Sequence, residues 1–150
     1  MNAKDFDVPD DYTTARTKDA AEDRIGPFFR RSAFGGDSDG NIETAMRATA
    51  AHCNGMGVVH GGVLMAFADY TMSEAAVVSG EENEHCLTVS FDAQFTAGGL
   101  QGELLQGEAQ VIRRTRSLAF VHGLVFTIRD GTRVDLLAFS GVGKRVLERG

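Results

Sequence analysis

The residues best suited to chemistry lie between His52 and Asp69. The run His52-Cys53-Asn54-Gly55-Met56-Gly57-Val58-Val59-His60-Gly61-Gly62 leads into a segment that carries Asp69. On a helix, Asp69 shares a stripe with Met65, Met72, Ser73 and Ala76 and has no partner evident in sequence. On the surface it would be an ordinary solubilising residue. Buried, it would need a hydrogen-bond donor, and it could then serve as a general base or a nucleophile. Gly61-Gly62 favours the second reading. Glycine costs a helix about 1 kcal/mol relative to alanine, but it lets a ligand approach the free N–H groups of the first turn. Those N–H groups and the helix dipole can hold an oxyanion or a polarised carbonyl. Asp69 lies eight residues after Gly61, about 12 Å along a helix axis, too far for both to act on one carbonyl. An antiparallel helix from a second copy would bring another Asp69 close, so the spacing favours a site shared across a dimer.

These residues need a helix to hold them and a sheet to cover it. Leu64, Phe67, Ala68, Met72 and Ala75 recur at three- and four-residue steps, which predicts a helix over Gly61–Ser79 stopped by Gly80. Before it, Pro27–Phe34 and Ile42–Ala50 read as a hairpin around the turn-rich Gly35–Asn41. Glu81–Glu84 reads as a charged surface loop. Leu87, Val89, Phe91, Ala93 and Phe95 then alternate with polar residues, the period of a strand with unlike faces. Gly98-Gly99 marks a bend, and Glu103–Arg114, Leu118–Arg129 and Thr132–Gly143 are three further strands, the last two joined by the turn Asp130-Gly131. One helix cannot supply the crossovers of a parallel sheet. The expected class is therefore α+β, with one long central helix wrapped by a mainly antiparallel sheet of five to six strands.

Asn54, Gly57, His60-Gly61-Gly62 and Asp69, in this order and spacing, resemble the hotdog-fold thioesterases, in particular the phenylacetate-pathway (PaaI-like) branch. The strand Thr88-Val89-Ser90-Phe91-Asp92-Ala93-Gln94-Phe95 is similar to the strand that follows the helix in that branch. The likeness spans roughly Pro27 to Val146. It implies an acyl-CoA thioesterase in which Asp69 is nucleophile or general base and the Gly61 N–H polarises the carbonyl. It further implies that Asn54 and Thr88 place water or substrate, and that His60 holds the loop. Gly62 would join Gly61 at the substrate. The chain departs from the pattern at Thr96-Ala97-Gly98-Gly99, where the family's usual proline is missing.

CoA also brings phosphates. Arg113, Arg114 and Arg116 cluster near a strand-to-strand turn, and guanidinium forks suit phosphate oxygens. Singly, each reads as a solvated turn residue; together, in an acidic chain, they are candidates for substrate binding. Lys144, Arg145 and Arg149 read as a polar tail.

Composition narrows the rest. The chain has 150 residues, 43% hydrophobic, and a net charge of -6, which suits one domain and argues against a nucleic-acid binder. Residues 1–25 hold seven acids, four bases and few apolar side chains. They read as a mobile leader, with a short helix around Thr14–Arg24, ahead of a single domain at 26–150. No apolar run is long enough for a membrane span and no secretory signal is evident; two cysteines make no disulfide framework, so a cytoplasmic location is expected.

Other motifs are weaker. Gly55-x-Gly57 lacks the third glycine of a dinucleotide loop. His52-Cys53 and His85-Cys86 lack zinc-ligand spacing, and Cys53 is a poor case for a nucleophile. No metal or redox cofactor is expected, with CoA present only as part of the substrate. The expected partners are an acyl-CoA and a second copy of the chain, with dimers pairing into tetramers. Two rivals remain at this level: a non-catalytic acyl-CoA-binding protein and a hotdog dehydratase or hydratase. The acyl group stays open among aromatic, medium-chain and hydroxylated acids.

Overall fold

The computed structural model describes residues 1–15, 18–32 and 41–148. Its strands are β1 (Phe29–Ser32), β2 (Asn41–Arg47), β3 (Glu84–Phe95), β4 (Leu104–Arg114), β5 (Leu118–Arg129) and β6 (Thr132–Leu147). Two α-helices are described, α1 (Ala20–Ile25) and α2 (Gly61–Val78). The six strands form one sheet in the order β1-β2-β4-β5-β6-β3, every neighbouring pair antiparallel. This is the α+β layout expected from the single long apolar helix. The turn expected within 35–41 lies outside the described residues except for Asn41, which opens β2. Asp130-Gly131 joins β5 to β6 with φ of 50° and 76°, the positive pair that a tight hairpin demands.

The core lies between α2 and the sheet. Leu64, Phe67, Ala68, Met72 and Ala75 are all buried, as their spacing requires. Tyr70, Thr71 and Ala76 are buried too, so the helix is covered well beyond one stripe. Thr71 donates to the Phe67 carbonyl at 2.8 Å and lies 2.7 Å from the Thr44 hydroxyl, which satisfies a buried pair where α2 crosses β2.

The far end of α2 is clamped by charge. Glu84, expected in a surface loop, instead opens β3, and its side chain is 1% exposed. It accepts from Arg114 at 2.6 Å and from both Nε and a terminal nitrogen of Arg145 at 2.9 Å. Arg114 also donates to the Ala76 carbonyl and the Ser79 hydroxyl, both at 2.6 Å, so it caps the last turn of the helix. A side chain at Gly80 would collide with the Glu84 carboxylate, which is why a glycine follows the helix. Arg145 is thus part of this clamp and of β6 rather than of a polar tail.

The N-terminal segment also departs from expectation. Ala3, Val8 and Tyr12 are buried against Phe29 and Ala45. Thr13 pairs with Arg30 across an isolated bridge, and Arg31 bonds both Asp11 and Glu43. A handful of apolar residues suffices to dock the segment because sheet residues at β1 and β2 offer a matching apolar surface. The helix in it is shorter than Thr14–Arg24, with Asp19 as its N-cap, accepting from the N–H groups of Ala21 and Glu22.

β3 forms one edge of the sheet, and its register against β6 shifts between Thr88 and Ser90. This bulge changes the phase of the strand. Before it, Cys86 and Thr88 face α2, where they meet Ser73 and Asp69. After it, Phe91 and Ala93 face the core, Phe91 stacking on Phe139 at 5.5 Å. Strict alternation would have turned Thr88 away from the helix.

Candidate active site

The loop into α2 is held by its own polar side chains. His52, buried beside β2, accepts from the Thr49 N–H on Nδ1 at 2.9 Å, which leaves Nε2 as donor to the Gly26 carbonyl at 3.0 Å. Asn54 Oδ1 accepts from the N–H groups of Met56 and Val58 at 2.9 and 3.2 Å. Its oxygen is therefore committed to the loop, and only its amide NH₂ is left to meet a ligand. The His60 N–H donates to the His52 carbonyl at 2.9 Å, which sets the entry to the helix.

At the helix N-terminus the four first N–H groups divide unequally. Gly62 donates to His60 Nδ1 at 2.9 Å. Val63 and Leu64 donate to the His60 carbonyl at 2.9 and 3.1 Å. Among the described residues, the Gly61 N–H has no acceptor. His60 thus serves as the N-cap of α2, and Gly62, expected among the substrate-binding residues, has its N–H taken by that cap. The ring of Phe95 lies against Gly61, at ordinary van der Waals distance from where a Cβ would be. Phe95 was not among the candidate site residues; it ends the alternating strand and is 52% exposed.

At mid-helix, Asp69 finds the partner that sequence alone could not show. Thr88 Oγ1 donates to Asp69 Oδ1 at 2.6 Å, a short charge-assisted bond. Asp69 and Thr88 line a cavity of ≈ 590 Å³ together with Ser73, Glu74, Cys86 and, from the N-terminal segment, Glu22. Glu22 was missed, and Ser73 was noted only as a neighbour of Asp69 on the helix face. Burial, first, and a nearby Asp69 push the Cys86 thiol up, while a bond to Ser73 opposes this; an unionised thiol there is no nucleophile. Cys53 donates to the Thr49 carbonyl at 3.4 Å and is likewise structural.

The arginine cluster separates. Arg113 and Arg116 are exposed, whereas Arg114 is bound to Glu84 and the end of α2 and is not available to a phosphate. The register places Lys144 opposite Leu118, so it stands at the same end of the sheet as Arg113 and Arg116.

The geometry thus consists of a free backbone N–H at a helix start and an aspartate held by a threonine two turns on. The chain is 28% identical over 115 residues to PA0474 of Pseudomonas aeruginosa, a protein provisionally named an esterase, covering 77% of this chain and 83% of that one. The structure of PaaI from the phenylacetic acid degradation operon of E. coli superposes with a TM-score of 0.72 at 21% identity, over 86% of each chain. A hypothetical thioesterase of Streptococcus pneumoniae, solved with coenzyme A, gives 0.67 at 15% identity, over 82% of this chain and 88% of that one. These structural likenesses establish the hotdog fold. No helix among the described residues is long and apolar enough to cross a membrane. The thioesterase superfamily profile matches residues 56–133, the stretch that holds the helix start, Asp69 and Thr88, and the chain belongs to that superfamily.

Proposed function

We propose that this protein hydrolyses an acyl-CoA thioester, with each site built from two copies of the chain. The observation that carries this reading is the pairing of one unoccupied helix N–H, at Gly61, with an aspartate fixed by Thr88. The Gly61 N–H would donate a hydrogen bond to the thioester carbonyl oxygen and stabilise the charge that develops on it. Asp69 would take a proton from water as the water oxygen bonds to the carbonyl carbon. When the C–S bond breaks, the CoA thiolate leaves and is protonated, and the acid is released. Direct attack by Asp69 followed by hydrolysis of the anhydride gives the same products. Neither route calls for a metal or redox cofactor.

Strand β3 supports the shared site. It is an edge strand, and Leu87, Val89 and Phe95 on it are 59%, 61% and 52% exposed. Exposed apolar edges invite pairing. Thr88 lies near one end of β3 beside Asp69, and Phe95 ends it beside Gly61. Two β3 strands paired antiparallel about a two-fold axis would set the Thr88 end of one against the Phe95 end of the other. Each Asp69 would then meet the partner's Gly61. Pairing of such dimers into tetramers stays part of this reading, and Arg113 and Arg116 would meet the CoA phosphates.

The test is thiol release from a panel of acyl-CoA thioesters. The wild type should release thiol, and Asp69→Asn should keep the fold and dimer while losing ~10²–10⁴ in kcat, the usual worth of a general base. Binding without thiol release, or an Asp69→Asn variant with undiminished turnover, overturns the reading.

A further inference from the structure

The cavity that opens from Asp69 has an unusual lining. Among the described residues that line it, seven of fifteen are carboxylates and none is a lysine or arginine. CoA carries several negative phosphate charges, so this end of the site repels it and suits the acyl group. Most of the carboxylates already have partners. Glu84 is held by Arg114 and Arg145, Glu74 lies 3.1 Å from Arg30, Asp19 caps α1, and Asp69 accepts from Thr88. Glu22 differs. Among the described residues, no hydrogen bond or ion pair reaches its half-buried carboxyl. Burial, then Asp19, Glu74, Asp23 and Asp69 in turn, push it up to about 7, as happens when a carboxylate has neighbours of its own sign and no donor. A second orphan stands nearby. The Tyr70 hydroxyl, on a residue 3% exposed, has no hydrogen-bond partner among the described residues and lies within electrostatic range of Glu74 and Glu22. An unpartnered carboxyl at a cavity wall, as Glu22 is here, is what a ligand's polar atoms complete.

We infer that Glu22, carried by the N-terminal segment, is a specificity-determining residue of the acyl subsite, which takes acyl groups bearing a hydroxyl or amino donor beyond the carbonyl. This rests on the thioesterase reading above. A donor at that position gains the acceptor that Glu22 offers. A methyl group leaves the carboxyl unpaired, and a carboxylate meets a like charge. The segment that looked like a solvated leader thereby contributes Ala15, Asp19 and Glu22 to the lining of the pocket.

Three six-carbon thioesters that differ only at their far end provide the test: 6-hydroxyhexanoyl-CoA, hexanoyl-CoA and adipoyl-CoA. At about pH 8, where Glu22 is ionised, kcat/KM of the wild type should fall in that order, by roughly tenfold per step, the worth of one hydrogen bond to a charged group. Glu22→Leu should lose the preference for hydroxyl over methyl. Glu22→Gln, of the same shape, should raise adipoyl-CoA relative to hexanoyl-CoA. Circular dichroism on both variants checks that α1 and the fold are kept. Thiol release with the same ratios in wild type and both variants, or a wild type that prefers adipoyl-CoA, overturns this inference and leaves the hydrolase reading standing. No thiol release from any of the three overturns both.

Discussion

Thr88 on the edge strand and Asp69 in the middle of the helix are joined by a 2.6 Å hydrogen bond that exists because β3 carries a bulge just after Thr88. The bulge lets Thr88 and Phe91 face the same way, one into the site and the other into the core. Bulges beside active sites commonly re-aim a side chain in this manner. The bond fixes one carboxylate oxygen of Asp69, and among the described residues the other has no hydrogen-bond partner.

Removing the hydroxyl should therefore misplace the carboxylate without unfolding the protein. Thr88→Val keeps the shape of an exposed strand residue and deletes the donor. A hydrogen bond to a charged group is worth about 1.5–3 kcal/mol, or roughly 10–100-fold. Steady-state kinetics should show that loss in kcat with KM little changed, since the bond orients the base rather than binding substrate. Thr88→Ser restores the donor and should recover most of the rate. A serine variant as slow as the valine variant would show that the hydroxyl is not what matters.

Much of this arrangement was legible in the sequence, for definable reasons. The helix, the all-antiparallel sheet and the turn at Asp130-Gly131 follow from local periodicity and turn chemistry, which do not depend on distant residues. The placement of Asp69 and Gly61 followed from spacing along one helix. The bulge was not legible, because it depends on how β3 registers against β6, far away in sequence. The same holds for Glu84 and Arg114. Glu84 sat in a run of charged residues that reads as surface, and its burial requires arginines from β4 and β6. Gly62 was misjudged because the N-cap ring of His60 competes for its N–H, a contact that depends on a rotamer. The docking of residues 1–15 on the sheet was missed because sparse apolar residues gain burial only when β1 and β2 supply the other surface.

The Glu84 clamp makes stability depend on acid. Burial alone would raise its carboxyl, but the bonds from Arg145 and Arg114 overcome this and hold it at about 2, below its ordinary 4.5. Its folded form therefore prefers the ionised state. The stability this gives is present in full above about pH 4.5 and is lost as pH falls towards 2. A gap of that size corresponds to about 3 kcal/mol. Glu84→Gln should cost about 2–3 kcal/mol at neutral pH, below the 3–5 typical of a broken buried pair because both arginines keep some contact with water. Urea denaturation between pH 6 and 3 should show a steeper loss in the wild type than in the variant. Parallel curves would show that Glu84 does not titrate with folding.

The Gly61 N–H can be removed without disturbing the helix it begins. Proline is well tolerated at the first helical position, where the N–H has no partner within the helix. His60, at φ -60° and ψ 135°, already has the extended backbone that a following proline requires. Gly61→Pro should therefore fold and lose about 10²–10³ in kcat, the measured worth of one oxyanion donor. Gly61→Ala keeps the N–H, and its Cβ would meet the Phe95 ring no closer than 3.5 Å, so it should retain far more activity than the proline variant. Because the reading places Asp69 opposite the partner's Gly61, mixing the two inactive proteins gives a sharper outcome. A dimer of one Gly61→Pro chain and one Asp69→Asn chain holds one site with both defects and one with neither. Unfolding and refolding an equal mixture should restore about a quarter of wild-type turnover, since half the dimers are mixed and half their sites intact. If both groups instead served one site within a single chain, every site would stay defective and the mixture would be as inactive as its parents.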